Sequence, residues 1–148
     1  AVEAAKKAGI EYRLHEYDGV EIGEGDYAAG VAGRLGIEPH RLFKTLVASA
    51  DGKLAVFIVP ADSRLSLRAA GKRVELAARA EAERATGYVV GGISPLGQRR
   101  RLSTSVDESA LDHATIFVSA GRRGLQLELD PRDLVRLTDA SVLRLTGR

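Results

Sequence analysis

The sequence LFKTLVASADGKLAVFIVP, residues 42–60, determines the fold that we predict for this chain. Two largely apolar runs lie on either side of Asp51-Gly52. Asp-Gly between two such runs strongly favours a tight two-residue turn that joins antiparallel strands. We therefore predict a β-hairpin at this point of the chain.

Helices and strands alternate on both sides of the hairpin. Before it we predict a helix over 1–8 that stops at Gly9, an alternating strand over 10–17 and a helix over 26–35. After it we predict helical segments at 65–71 and 76–85, a helix that starts after an Asp130 N-cap, and strands at 102–106, 114–118, 125–129 and 141–145. This order favours an α+β (mixed α/β) domain with a central, mixed and partly curled sheet flanked by helices. No linker or repeat interrupts the sequence, so we predict a single domain over 1–148.

The composition is that of an ordinary globular protein, and it excludes several kinds of site. Hydrophobic residues make up 45% of the 148 residues and charged residues 28%, which argues against disorder. Cysteine is absent, so disulfides and protein thiolate chemistry are excluded. The three histidines, His15, His40 and His113, lack metal-ligand spacing, and we expect neither a metal nor a cofactor.

Hydropathy favours a cytoplasmic protein. The longest apolar run, residues 54–59, is far too short to cross a bilayer. No charged and then apolar signal segment opens the sequence. We therefore expect a cytoplasmic location and no membrane partner.

Lys44 is the only charged residue in the first arm of the hairpin, and most of its neighbours on both faces of the predicted strand are apolar. Lysine is seldom buried without a partner. Burial would lower the pKa of its ammonium group and make it either a reactive amine or a fixed cation for an anionic group. The structural alternative is a lysine at a strand end whose stem packs while its ammonium reaches water.

The glycine-rich loop GGISPLG, residues 91–97, has the composition of a backbone anion site. Glycines let the main chain approach a ligand closely and turn successive N–H groups toward one oxyanion or phosphate. Pro95 restricts the loop, so such donors would be held in place, as an ester-cleaving site requires. Neither a P-loop nor a G-x-S-x-G elbow matches, and Ser94 has no histidine near it in sequence. The alternative is a purely structural turn.

Two arginine clusters lie close to glycines in the second half of the chain, although the net charge is only +2. One is formed by Arg99, Arg100 and Arg101, the other by Arg122 and Arg123. A local basic patch of this kind suits a polyanionic partner. A solvated basic face is the alternative interpretation.

Three motifs together carry a resemblance to a known family. They are FKTL at 43–46, TGYVVGGISPLGQ at 86–98 and VSAGRRGL at 118–125. In this order and spacing they closely resemble the YbaK/EbsC family, the free-standing relatives of the editing domain inserted in bacterial-type prolyl-tRNA synthetases. The resemblance covers nearly the whole chain. It implies a mixed sheet curled toward a barrel and flanked by helices, in agreement with the pattern of elements.

The resemblance implies a trans-editing aminoacyl-tRNA deacylase, most similar to the branch that acts on Cys-tRNA(Pro), with prolyl-tRNA synthetase as a candidate partner. The family lysine falls on Lys44, the substrate-facing tyrosine on Tyr17 and the glycine loop on Gly91 through Pro95. We therefore assign Lys44, Gly91 and Gly92 to catalysis. The residues assigned to substrate binding are Tyr17, Thr45, Ile93, Ser94, Pro95 and Gly97. The arginines at 99–101 and 122–123 would bind the tRNA.

The resemblance also implies chemistry without a protein nucleophile. A cysteinyl thiol could attack its own ester, whereas an alanyl ester would need a water oriented by the ribose hydroxyls. Backbone N–H groups of residues 91–97 would face the carbonyl, and Lys44 would hold a phosphate or the developing alkoxide. Three alternatives stay open: a deacylase for Ala- or Ser-tRNA, a tRNA-binding module without turnover, and a Schiff-base enzyme that uses Lys44.

Two positions depart from the pattern of that branch. Gln126 stands where an acidic residue is usual, and Ala120 stands where a glycine is common. Glu128 would share a strand face with Gln126 and could replace the missing acid. These changes leave the amino-acid specificity open.

Overall fold

The computed structural model describes residues 1–18 and 27–146. In this part of the chain the helices are α1 (Val2–Ala8), α2 (Tyr27–Leu35), α3 (Leu67–Ala70), α4 (Arg79–Thr86) and α5 (Pro131–Thr138). The strands are β1 (Tyr12–Glu16), β2 (Phe43–Ala50), β3 (Lys53–Pro60), β4 (Val74–Leu76), β5 (Ser103–Asp107), β6 (Ile116–Ser119), β7 (Leu125–Leu129) and β8 (Ser141–Leu143). Short 3-10 helical turns occupy Pro39–Arg41 and Glu108–Asp112.

The strands form two sheets. The smaller has the order β1–β7–β6 and is antiparallel throughout. The larger has the order β4–β2–β3–β5–β8, with antiparallel pairs on the β4 side and parallel pairs on the β8 side. A parallel bridge between Leu42 and Phe117 joins the two sheets. Within the described residues they do not close into a barrel, and the predicted α+β class is confirmed.

The predicted hairpin is present. β2 and β3 pair from Phe43↔Pro60 to Ala50↔Lys53. Asp51 and Gly52 both have positive φ, at 53° and 82°, which is what a type I′ hairpin turn requires. This turn therefore fixes the register that brings Lys44 opposite Val59.

Helix ends follow the predicted caps. Gly9 ends α1 in the left-handed conformation with φ 69°. The Asp130 side chain accepts a hydrogen bond from the Arg132 N–H at the start of α5, where Pro131 occupies the first turn. The helix predicted over 26–35 is present from Tyr27, and Asp26 lies outside the described residues.

The main core includes buried apolar residues of both sheets and of the helices α4 and α5, among them Phe43, Ile58, Leu127, Ala85 and Leu134. A smaller cluster forms where the sheets meet, from Val31, Leu42 and Phe117 with Tyr17 packed against it. The chain therefore contributes to both clusters where it enters β2, through Phe43, the first residue of the strand, and Leu42 just before it.

One local prediction was wrong. Residues 74–76 form the strand β4, so the helix predicted to begin at residue 76 starts at Arg79. The strand is short and has two exposed residues, and it exists because it pairs with β2, as in Ala48↔Leu76. Among the described residues no helix is long and apolar enough to span a bilayer.

Candidate active site

A cavity of about 570 Å³ lies beside the start of β2. This volume is in the usual range for small-molecule sites. Most of the wall is apolar, including Val31, Leu46 and Val90. The polar residues of the wall come from β2, α4, β6 and β7, and they are Lys44, Thr45, Arg79, Ser119 and Gln126.

The cavity follows a stretch of β2 that, among the residues the structure describes, has no paired strand on one side. β4 pairs with β2 only over Ala48–Ala50, and the Ala77 N–H donates to the Val47 C=O at 3.0 Å. Because a strand repeats every two residues, the backbone of Thr45 points to the same side as that of Val47. Thr45 lines the cavity, so we infer that its main-chain N–H and C=O also face this space.

Lys44 lies in the cavity wall as a half-buried cation. Its ammonium forms no hydrogen bond or ion pair with any of the described residues. Burial lowers the pKa of Lys44, and the Arg64 guanidinium lowers it further, while Asp62 acts in the opposite direction. The site therefore holds a partly desolvated positive charge that a bound anionic group could neutralise.

The glycine loop enters the cavity through its first residues. Gly91, with φ 98°, and Ile93 line the cavity. The N–H groups of these two residues have no hydrogen-bond partner in the described part of the chain, whereas the Gly92 N–H donates to the Val89 C=O at 2.8 Å. Gly91 and Ile93 are therefore the candidate main-chain donors to a ligand.

Val90, just before the loop, is fixed from two sides. Its N–H donates to the Glu83 carboxylate at 2.8 Å. Its C=O accepts from the Arg123 guanidinium at 3.1 Å. Glu83 also pairs with Arg79, one turn earlier in α4, at 3.3 Å. These contacts attach the start of the glycine loop to α4 and to the second arginine cluster.

The motifs at 86–98 and 118–125 pack directly on one another. A Cβ on Gly92 would lie 2.7 Å from the Arg122 Cα, and one on Gly121 would lie 2.9 Å from the Tyr88 ring. Real Cβ atoms essentially never come this close to another heavy atom. Glycine is therefore required at both positions by the close approach of the two segments.

The second half of the loop faces away from the cavity. The buried Ser94 hydroxyl accepts a hydrogen bond from the Leu96 N–H at 3.2 Å, as in a local turn. Pro95 and Gly97 line a separate depression together with Arg100 and Arg101. The structure thus brings Gly91 and Ile93 to Lys44 but separates Pro95 and Gly97 from it.

The remaining predicted residues lie around this centre. Tyr17 is half-buried against Phe117, and its hydroxyl accepts from the Gln126 amide at 3.5 Å. Arg122 and Arg123 are exposed beside the glycine loop. Arg99, Arg100 and Arg101 are exposed after it, and the backbone N–H groups of the first two bond to the end of α4.

Sequence reasoning missed two residues that the structure places at the site. Glu83 gave no signal, because a glutamate in a helix is usually a solvated residue. Gln126 was noted only as a departure from the family pattern, yet it is buried in the cavity wall.

Glu128 does not take the place of an acidic residue in the cavity. Its carboxylate accepts hydrogen bonds from His15 at 2.9 Å and from Thr115 at 2.5 Å. Glu128 lines a different depression, together with Arg13 and Asp130. The expectation that it could replace the missing acid is therefore wrong, because its side chain is held by groups outside the cavity.

Comparison with known proteins decides the family. Residues 24–137 match the family described as "Aminoacyl-tRNA editing domain". The chain belongs to this family. The resemblance predicted from the motifs is confirmed, and so is the enzyme class, because an editing domain of this kind is an aminoacyl-tRNA deacylase.

Individual relatives of this editing domain agree with the assignment. A protein of Enterococcus faecalis named "Putative Cys-tRNA(Pro)/Cys-tRNA(Cys) deacylase EbsC" is 37% identical over 82% of this chain and 77% of its own length. The solved structure of "hypothetical protein APE2540" has a TM-score of 0.86 at 30% identity, with 99% of this chain and 98% of that chain covered. A "putative trans-editing enzyme for prolyl tRNA synthetase" has the same fold, with a TM-score of 0.86 at 24% identity over 99% of this chain and 94% of that chain.

Proposed function

We propose that this editing domain is a trans-acting deacylase that cleaves the ester of mischarged tRNA(Pro), with Cys-tRNA(Pro) as its main substrate. One observation carries the proposal: the same cavity is lined by Lys44, Gly91 and Ile93. Among the described residues, neither the Lys44 ammonium nor the N–H groups of Gly91 and Ile93 have a partner. None of the described residues that line it is an acid, a histidine or a cysteine. The site thus offers charge and hydrogen-bond donors, and the attacking group comes with the substrate.

The proposed reaction needs no nucleophile from the protein. The cysteinyl sulfur attacks the carbonyl carbon of its own ester and loses its proton, while the bond from that carbon to the ribose oxygen breaks. The ribose oxygen takes up a proton, so the products are free tRNA and a cysteine thiolactone, which water then opens. The N–H groups of Gly91 and Ile93 donate to the carbonyl oxygen as it becomes negative, and the Lys44 ammonium stabilises the leaving oxygen or the adjacent phosphate.

The choice of cysteine is supported by the relative from Enterococcus faecalis, which is named a "Putative Cys-tRNA(Pro)/Cys-tRNA(Cys) deacylase". At 37% identity over 82% of this chain, that relative shares most of the domain. A thiol is also the amino-acid side chain best able to attack an ester where the protein supplies no base. Alanyl and seryl esters are the competing substrates.

The exposed arginines would hold the tRNA. Those at 122 and 123 lie beside the glycine loop, and those at 99–101 follow it. Together they place positive charge on two sides of the loop that contributes Gly91 to the cavity. Guanidinium groups bind phosphates well through paired N–H donors, so this surface suits the acceptor stem. We keep prolyl-tRNA synthetase as a candidate partner that would supply tRNA selectivity.

A deacylation panel tests the proposed function. Cys-, Ala-, Ser- and Pro-tRNA(Pro) are incubated with the wild-type protein, and the loss of the aminoacyl group is compared with the uncatalysed rate of each ester. We expect strong acceleration for Cys-tRNA(Pro) and none for Pro-tRNA(Pro). Binding of all four without acceleration would instead indicate a tRNA-binding module. A covalent adduct trapped on Lys44 by borohydride would indicate a Schiff-base enzyme.

A further inference from the structure

We propose that Thr45 and Gln126 form a subsite that binds the α-amino group of the aminoacyl ester. The inference rests on the proposed function and adds to it which part of the substrate these two side chains recognise. It assigns to Gln126, the residue that departs from the family pattern, a direct role in substrate recognition.

Two buried polar atoms carry the inference. Thr45 Oγ1 and Gln126 Oε1 are enclosed by protein, and neither has a hydrogen-bond partner among the described residues. Gln126 is only 7% exposed. Unsatisfied buried polar atoms are few in native proteins, and each one calls for a specific explanation. Both residues line the cavity that holds Lys44, so a ligand in this cavity can supply the missing partners.

The neighbours of Gln126 leave its side-chain carbonyl oxygen without a hydrogen bond from any described residue. Its amide nitrogen donates to the Tyr17 hydroxyl at 3.5 Å. Opposite it in the β6–β7 pairing is Ser119, whose hydroxyl already accepts from the Gly121 N–H at 3.2 Å. Neither neighbour supplies a hydrogen bond to Oε1, so among the described residues this oxygen is left without a partner, in a side chain that belongs to a residue of the cavity wall.

The chemistry of these atoms selects one part of the substrate. A glutamine carbonyl only accepts hydrogen bonds, and a threonine hydroxyl can accept them. The ester carbonyl and the ribose oxygens need donors, which the Gly91 and Ile93 N–H groups and Lys44 provide. The α-amino group is the donor-rich part of an aminoacyl ester, and as an ammonium it has three N–H bonds. The acceptors on β2 and β7 therefore complement the α-amino group of the substrate. The donors on the loop complement its ester carbonyl.

A pair of substrates that differ only in the α-amino group tests this subsite. Cysteinyl-tRNA(Pro) and 3-mercaptopropionyl-tRNA(Pro) carry the same thiol and the same ester, but the second has hydrogen in place of the amine. The kcat/KM of each is measured for the wild type and for Thr45→Val, Gln126→Met and Gln126→Glu. The two esters differ in intrinsic lability, and this difference cancels when the ratio of the two values is compared between proteins.

We expect the ratio of amino over desamino substrate to fall about tenfold in Thr45→Val and in Gln126→Met, because each loses one hydrogen bond to an ammonium. In Gln126→Glu the ratio should be kept or raised, because a carboxylate accepts from an ammonium more strongly. Ser119→Ala is the matched control, since Ser119 lines the same cavity but its hydroxyl oxygen already accepts from the Gly121 N–H, and its ratio should equal that of the wild type.

One result would overturn the inference while leaving the proposed function intact: Thr45→Val and Gln126→Met both keep the wild-type ratio of amino over desamino substrate. This holds whether kcat/KM falls by the same factor for both substrates, as a purely structural role requires, or does not fall at all. Failure of the proposed function looks different, because the wild type would then not accelerate the loss of cysteine from Cys-tRNA(Pro). Thermal unfolding of each variant identifies any that does not fold. If the variant at one position, Thr45 or Gln126, does not fold, the substrate ratio of the variant at the other position tests the subsite.

Discussion

Lys44 is a cation that the fold takes partly out of water and leaves without a partner among the described residues. Such a residue weakens the folded state, since burial disfavours the charged form. Its retention in a cavity wall is explained if a substrate anion completes the site. Lys44→Met should therefore lose activity and keep or raise the melting temperature at neutral pH.

The pH dependence of the deacylation rate distinguishes a Lys44 that acts as a cation from one that acts as a neutral amine. Its pKa in the folded protein is lowered from the ordinary 10.5, mainly by burial. A cation must be protonated to act, so the rate advantage of the wild type over Lys44→Met should be full below the lowered pKa and vanish as pH rises through it. Rates of both proteins on Cys-tRNA(Pro) between pH 6 and 10 measure this ratio. An advantage that instead grows with pH would identify a neutral amine acting as nucleophile.

Stability should show the opposite trend with pH. Because the folded state holds the Lys44 proton more weakly than the unfolded state does, stability rises with pH between the lowered pKa and 10.5. The gain comes from losing a charge that the fold disfavours. The Lys44→Met protein lacks the Lys44 amine, so its stability should not show this rise with pH. The difference in melting temperature between Lys44→Met and the wild type should therefore shrink between the lowered pKa of Lys44 and pH 10.5.

Gly92 tests the packing of the two family motifs. Gly92→Ala places a methyl group 2.7 Å from the Arg122 Cα, and we expect a loss of about 1 to 3 kcal/mol in the free energy of unfolding. Gly33→Ala is the control, because a Cβ there meets nothing within 4 Å and alanine favours the helix α2. Urea unfolding of both proteins measures the difference. An equal stability for the two variants would show that the segments separate easily.

At the scale of elements, helix α4 positions the glycine loop through Glu83. Glu83→Ala removes the acceptor of the Val90 N–H, which lies 2.8 Å from the carboxylate. We expect faster hydrogen exchange at Val90 and a lower kcat on Cys-tRNA(Pro), because the donors at Gly91 and Ile93 are then less well held. Glu81→Ala, in the same helix and exposed, is the control. Normal exchange at Val90 in Glu83→Ala would show that Arg123 alone fixes the loop.

Elements that local sequence controls were predicted well. Asp51-Gly52 forms its turn because both residues adopt positive φ there, and Asp130 caps α5 through its own side chain. β4 could not be predicted in the same way, because its three residues gain their hydrogen bonds from β2. The division of the strands into two sheets also depends on distant pairing, such as that of β1 with β7.

The candidate site was predictable where one residue is unusual for its position. Lys44 was identified because a charge in an apolar strand needs an explanation. Gly91 was identified because it begins the glycine-rich loop 91–97, whose composition suits anion binding. The roles of Glu83 and of the Gln126 side-chain oxygen could not be predicted from the sequence, because they depend on which atoms meet in three dimensions. The split of residues 91–97 between two faces is likewise a property of the folded loop.

At the scale of the whole molecule, the exposed arginines predict a salt-dependent interaction with tRNA. The double variant Arg100→Gln, Arg101→Gln should weaken binding and lower the slope of log affinity against log salt by about 1.4 to 1.8, because two phosphate contacts are lost. The control is Arg132→Gln, Arg136→Gln, since these α5 arginines pair with the N-cap Asp130 and with Asp133. Binding of tRNA(Pro) at several salt concentrations gives the slopes. Equal slopes for the two double variants would place the tRNA on another surface.

The central claim is that one cavity activates the ester with the Lys44 cation and the main-chain donors of the glycine loop. Single-turnover deacylation of Cys-tRNA(Pro) by wild type and by Lys44→Met, at neutral pH and saturating enzyme, tests it most directly. We predict a loss of about 100-fold or more in the rate of the variant, with tRNA binding largely kept. Equal rates for the two proteins would contradict the claim and remove Lys44 from the chemistry.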